Sequence, residues 1–322
     1  MTSPRNQIIK FIERGIISED KISDALRATQ VFPDSKSWRT FIDNLLLWLG
    51  GLALAFAVMF FVAYNWNAIG RFAKFGMVEG IIVLAIVAYC RLGENTTASK
   101  VSLLVATISL GVLLALYGQT YQTGADPWQL FFSWAVLLLP WALIGRFPAI
   151  WVVWVILINL AIILYHQTFS NLFWILLGSP GMLLMVFCFN TLVLAAWEFL
   201  AKRWQWLSES WAIRILAAGS IVPITMLALN AIFGNRTVSA VYGLLWTLWL
   251  PLMLFVYRKL RPDLFMLASS CLSVIIVSVS FIGKHVLNDG SSASFLFLAL
   301  VVICMGTGAA FWLKNVHQEC QS

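Results

Sequence analysis

The sequence predicts an all-α fold: a polytopic transmembrane helical bundle of about ten spans, preceded by a small N-terminal cytoplasmic helical hairpin. Three observations predict it. Of the 322 residues, 61% are hydrophobic and only 11% are charged, where a soluble domain carries about 25% charged residues. Apolar runs long enough to cross a ~30 Å hydrocarbon core recur from Leu45 to the end of the chain. These runs are apolar all round and do not alternate with a period of two, which excludes an outer-membrane barrel.

Three regions follow in order: a hairpin over 1–44, a bundle over 45–313 and a cytoplasmic tail over 314–322. In the first, Ile8, Ile9 and Ile12 share a helical face, Gly15 ends that helix, and "SEDK" from Ser18 opens a second with an N-cap and an acidic first turn. Ile22, Ala25 and Leu26 continue the stripe until "FPDS" from Phe32 stops it. The region is polar and lacks the cleavage pattern of a secretory signal, so the first span is expected to act as its own insertion signal. The hairpin either rests on the membrane and its loops or docks a partner.

The spans fall at approximately 45–64, 72–90, 101–120, 128–144, 148–165, 182–200, 212–233, 238–257, 264–283 and 294–313. With the N-terminus inside, basic residues divide 17 to 4, and only Arg71, Lys74, Arg236 and Lys284 lie outside. Basic residues in short loops set orientation, so both termini are expected in the cytoplasm. "FSNLFWILLGSPG" from Phe169 is too short to cross and reads as an interfacial helix or a re-entrant piece. Pro140, Pro223 and Pro251 sit inside spans and permit kinks. "WAVLLLPW" from Trp134 and "WTLWLPLM" from Trp246 form a faint echo, offset by an even number of spans.

Candidate chemistry is sparse. Glu79 lies about 10 Å into the second span, with Lys74 and Arg71 nearer the outer end; it either pairs along its own helix or serves a ligand or proton. "YGQTYQTGADPW" places Gln119, Tyr121, Asp126 and Trp128 where span three turns into span four. "YNWNAIGRF" places Asn65 and Trp66 at the outer end of span one. Each cluster alone suits a helix start or an interface belt; both on one side predict an outward-facing cup.

Glu198 and Arg214 sit at span ends, where long side chains reach water. Asn159, Asn190 and Asn230 are mid-span amides of the kind that join helices. The five cysteines read as small buried hydrophobes and the three histidines fall in separate connections, so no metal site or cofactor is expected. Phosphate-loop, zinc-protease and nucleophile-elbow signatures are absent, which makes an enzyme the third reading. A net charge of +7 spread over the loops suits anionic lipid, not nucleic acid.

"FVAYNWNAIGRFAKFG" from Phe61, "YGQTYQTGADPWQLFFSWAVLLLPW" from Tyr117 and "FIERGIISEDKISDAL" near the start resemble the bacterial membrane-protein family catalogued as domain of unknown function 2157. The resemblance covers about the first 145 residues and implies an inner-membrane protein whose activity is unassigned. It carries over no catalytic residue. In span number and loop length the chain is also similar to ten-helix drug and metabolite transporters, whose halves are inverted, unlike the even offset here.

The expected function is binding or transport of a small molecule or lipid. Glu79, Asn65, Gln119, Tyr121 and Asp126 would give polar contacts, with Trp66 and Trp128 as aromatic walls. The alternative is a non-transporting scaffold or regulator whose hairpin docks a protein partner.

Overall fold

A computed structural model describes residues 8, 11–12, 15–21, 26, 35–64, 69–93, 96–169, 180–234, 236–286 and 292–319. Among the described residues there are no strands, and ten helices are long and apolar enough to cross a membrane. They are α1 (Ser35–Tyr64), α2 (Arg71–Leu92), α3 (Thr97–Tyr121), α4 (Pro127–Gly145), α5 (Pro148–Thr168), α6 (Pro180–Ala201), α7 (Ser210–Phe233), α8 (Arg236–Phe255), α9 (Leu264–Val286) and α10 (Ser292–Glu319). The chain divides into two compact units at Ser109 and Leu110, inside α3.

In the first unit, the expected stop at Gly15 has a backbone form. Gly15 takes φ +68°, its N–H donates to the Ile12 carbonyl at 2.9 Å, and the Ile16 N–H donates to the Phe11 carbonyl at 3.0 Å. This double bond pattern satisfies carbonyls that a helix end leaves open. A 3-10 turn over Glu19–Lys21 follows Ser18. Most of the expected hairpin lies outside the described residues. The helix of the first span starts at Ser35 and runs for 30 residues, about 45 Å at 1.5 Å per residue, so residues 35–44 are helical and continuous with it. The hydroxyl of Thr96 accepts the Ser99 N–H at 3.1 Å at the start of α3, and the Ser99 hydroxyl donates to the Tyr89 carbonyl of α2 at 3.3 Å.

In the second unit, proline opens α4, α5 and α6, where a missing N–H costs nothing. Arg146, in the left-handed region at φ +43°, and Phe147 reverse the chain between α4 and α5. The expected interfacial or re-entrant piece after Phe169 lies outside the described residues. Pro140, Pro223 and Pro251 are inside α4, α7 and α8, as their sequence positions require.

The packing has a centre. α7 packs against α5, α6, α8 and α9, while α4 lies on α5 and α10 on α9. Ala212, Ala217, Ser220 and Ala228 are buried along α7, and Leu216, Ile224 and Leu227 join the core with Phe187 and Trp197 of α6, Trp249 of α8 and Met266 of α9. Lipid is as apolar as leucine, so helices gain little by merely hiding apolar surface from it. Small residues that let backbones approach, and hydrogen bonds between helices, supply the association instead.

The clearest such contact joins three helices. Asn159 of α5 and Asn190 of α6 exchange reciprocal side-chain hydrogen bonds of 3.1 and 2.7 Å, and each amide also donates to its own helix, at the Val155 and Val186 carbonyls. On α7, a Cβ added to Gly219 would lie 2.7 Å from the Asn190 Oδ1. Gly219 is therefore the gap through which α7 reaches this amide pair. A second polar link runs from Thr225 of α7 to Ser273 of α9 at 2.6 Å, and the Trp246 indole of α8 donates to the same Ser273 oxygen at 3.0 Å.

Gly219→Ala is expected to destabilise the protein by about 1–3 kcal/mol, because the new methyl must displace an amide held by two partners. Gly306→Ala, where an added Cβ meets nothing within 4 Å, should leave the thermal midpoint in detergent unchanged or raise it slightly.

Candidate functional site

Each end of the second unit has its own chemistry. At the end where α6, α8 and α10 finish, charges are paired. A π-helical turn over Val256–Leu260 extends α8, and such turns widen a helix by one residue. Its geometry sets Tyr257 and Arg261 on one carboxylate: the Tyr257 hydroxyl donates to Glu198 Oε1 at 3.0 Å, and the Arg261 guanidinium pairs with Glu198 Oε2. Arg261 also donates to the Glu198 backbone carbonyl at 2.9 Å. Two oxygens and a carbonyl at the end of α6 are thus held by the end of α8.

Asp263 has two partners. Its Oδ1 accepts the Phe265 and Met266 N–H groups at 2.9 and 3.3 Å, which caps α9, and its Oδ2 accepts Arg214 of α7 at 3.1 Å. The Arg214 guanidinium lies 5.8 Å over the Phe265 ring. Farther out, Arg258 pairs with Glu319 at 3.7 Å and lies over Trp312. Glu198 and Arg214, expected merely to reach water from their span ends, instead fasten helices together. Opposite charges in neighbouring connections hinted at this, but which charge meets which depends on the packing of α6, α7 and α8.

The sequence-expected site residues fall in different places. On α2 the buried stripe is Lys74, Val78 and Ala85. Glu79 stands one residue, about 100°, around from Val78 and is exposed. Asn65 and Trp66 lie outside the described residues.

Gln119, Tyr121, Asp126 and Trp128 are gathered at the α3–α4 turn in the second unit. The turn bends through left-handed backbone at Gln122 (φ +45°) and Gly124 (φ +64°); a non-glycine residue there is strained. Gln119 and Tyr121 are exposed, and the Tyr121 ring lies 5.0 Å from that of Tyr117. Asp126 occupies the N-cap of α4 but makes no side-chain cap hydrogen bond, which leaves its carboxylate unused by the helix. Trp128 stacks edge-on against Tyr165 at 5.2 Å, and Tyr165 contacts Phe169 at 4.8 Å.

Two donors buried beside this turn, the Thr120 hydroxyl and the Trp128 indole N–H, have no hydrogen-bond partner among the described residues. The other such atoms are the indoles of Trp151 and Trp154 on α5 and the Thr191 hydroxyl on α6. No group of three metal-ligating side chains exists among the described residues, and Cys90, Cys188, Cys271 and Cys304 are unpaired thiols.

These features define a multi-pass α-helical membrane protein. Residues 10–151 match the model of a family described as a predicted membrane protein, domain of unknown function 2157. This is the family that the motifs from Phe61 and Tyr117 resemble. No curated protein and no solved structure matches the chain.

A double-mutant cycle on Glu198→Gln and Arg261→Met, read by thermal or denaturant unfolding in detergent, should give a coupling of about 1–3 kcal/mol. These side chains are only 17% and 30% exposed. The same cycle on Arg258→Met and Glu319→Gln, 41% and 66% exposed, should give less than about 1 kcal/mol.

Proposed function

We propose that this protein is a bacterial inner-membrane protein, with both termini in the cytoplasm, that binds and passes on a small molecule or lipid through an outward-facing polar-aromatic site at the α3–α4 turn. One observation carries this reading: among the described residues the buried Thr120 and Trp128 donors have no hydrogen-bond partner, and they lie beside Gln119, Tyr121 and Asp126, whose carboxylate makes no cap hydrogen bond. Leaving a buried donor unsatisfied costs about 1–3 kcal/mol, and a ligand bearing hydrogen-bond acceptors would recover it. The rings of Tyr117, Tyr121, Trp128 and Tyr165 would supply an apolar wall for the body of such a ligand. The basic-residue imbalance of 17 to 4 supports the orientation. For Glu79, Asn65 and Trp66 the support is the sequence pattern alone.

A second reading has its own observation. Phe11 and Ile16 flank the Gly15 stop, and both are exposed, which favours a scaffold or regulator that docks a protein partner through its N-terminal region.

The test is mass spectrometry of what co-purifies with the full-length protein in mild detergent. On the binding reading, Thr120→Val removes one donor at nearly constant volume and Trp128→Phe removes the other while keeping an aromatic ring, and together they should deplete a bound small molecule or lipid about tenfold, the effect of about 1.4 kcal/mol; Glu79→Gln tests the outer part of α2 separately. A bound species unchanged in both variants would overturn this reading. Loss of a protein partner from Phe11→Glu with Ile16→Glu alone would favour the scaffold.

A further inference from the structure

At the end where α7 and α9 finish and α8 begins, the second unit opens into a groove of about 980 Å³, at the upper end of the ~300–1,000 Å³ range of small-ligand sites. Its walls are narrow because the facing residues are small. Ala228 and Ala231 of α7 oppose Gly243 of α8, and a Cβ on Gly243 would stand 3.6 Å from that of Ala231. Trp246 and Phe281 form the larger walls. The Trp246 N–H is already satisfied by Ser273, which Thr225 also bonds, so the indole offers the groove its carbon face. Leu244 and Phe281 are more than half exposed, which opens the slot sideways towards hydrocarbon.

The rim has a charge of one sign. Lys284 Nζ donates to the Ile232 carbonyl in the last turn of α7 and lies 5.9 Å over the Phe233 ring. The His285 Nδ1 lies 2.9 Å from the Phe281 carbonyl oxygen. Among the described residues lining the groove there is no carboxylate. The Ile232 carbonyl anchors the ammonium and takes one of its three donors. Two remain for an anion, and a pre-positioned side chain loses less freedom on binding.

An apolar slot open to the bilayer, with a tethered cation at its mouth, matches one chemistry: an acyl chain joined to an anionic phosphate. A water-soluble anion would have no use for the slot, and a neutral lipid would have no use for the cation. We infer that the groove between α7, α8 and α9 holds one anionic phospholipid, its acyl chain lying along Ala231 and Gly243 and its phosphate against Lys284. This site is separate from the α3–α4 turn, so either can fail without the other.

The probes are phosphatidylglycerol and phosphatidylcholine with identical acyl chains, added to the delipidated full-length protein and read by native mass spectrometry. The unaltered protein is expected to keep one phosphatidylglycerol with roughly a fivefold preference, the scale of one basic residue near a membrane surface. Lys284→Gln should reduce that preference to none, and Lys284→Arg should keep it. Gly243→Leu should fill the slot and lower retention of both lipids. Lys202→Gln, a basic change in the α6–α7 connection, should leave the preference intact. Equal retention of the two lipids by the unaltered protein, a preference that survives Lys284→Gln, or a preference that falls equally in Lys202→Gln would overturn the inference. Melting curves of each variant separate lost binding from lost folding, and the Lys284→Arg result stands even if Gly243→Leu fails to fold.

Discussion

The structure of the second unit depends on how closely other helices can approach α7. In a membrane there is no water to drive apolar faces together, so a central helix must offer contact that lipid cannot. α7 does this with small residues at Ala217, Ser220 and Ala228 and with a missing side chain at Gly219, which admits the Asn190 amide. Asn190 in turn holds Asn159 of α5. Four helices therefore meet around one that is apolar on every side, and the remaining two pack onto that group.

The two ends of this unit use polar groups differently. Where α6, α8 and α10 finish, Glu198, Asp263 and Glu319 each meet a cation from another helix, and the π turn after Phe255 turns Tyr257 and Arg261 onto the same partner. Pairs of this kind limit how far the helix ends can separate, because breaking one leaves a partly shielded charge without its counter-ion. At the opposite end α7, α8 and α9 border a groove, and the cation there is tethered to a backbone carbonyl and not to an acid. One end is closed by complementary charge; the other exposes a cation and apolar walls.

Several features of the candidate sites were legible from residue type and spacing. The turn chemistry of "TGADPW" placed Pro127 at the first position of α4 and Asp126 at its N-cap, since proline lacks only an N–H that a helix start leaves unused. Asn159 and Asn190 read as helix-joining amides because an amide in hydrocarbon must find a partner, and they found each other. Glu79 was harder to read. Spacing put it near Lys74 and Arg71, but a one-residue step rotates a helical position by about 100°, and Val78 took the buried face. The Glu198, Tyr257 and Arg261 cluster was not legible, because Glu198 is 59 and 63 residues from the other two, which are aligned on it by a π turn that no periodicity announces.

The amino-acid sequence by itself determined that the chain is a set of membrane-spanning helices, how many there are, and roughly where each begins and ends. These follow from length and apolarity, because a backbone in hydrocarbon must satisfy its own hydrogen bonds within each segment. It also carries the match of residues 10–151 to the model of a predicted membrane-protein family. Only the tertiary structure decided which helix is central, which charges pair, and that Lys284, Trp246 and Gly243 border one groove. Those outcomes depend on side chains from helices distant in sequence meeting at a few ångströms. In spans apolar on every face, no hydrophobic stripe records in advance which side will meet which neighbour.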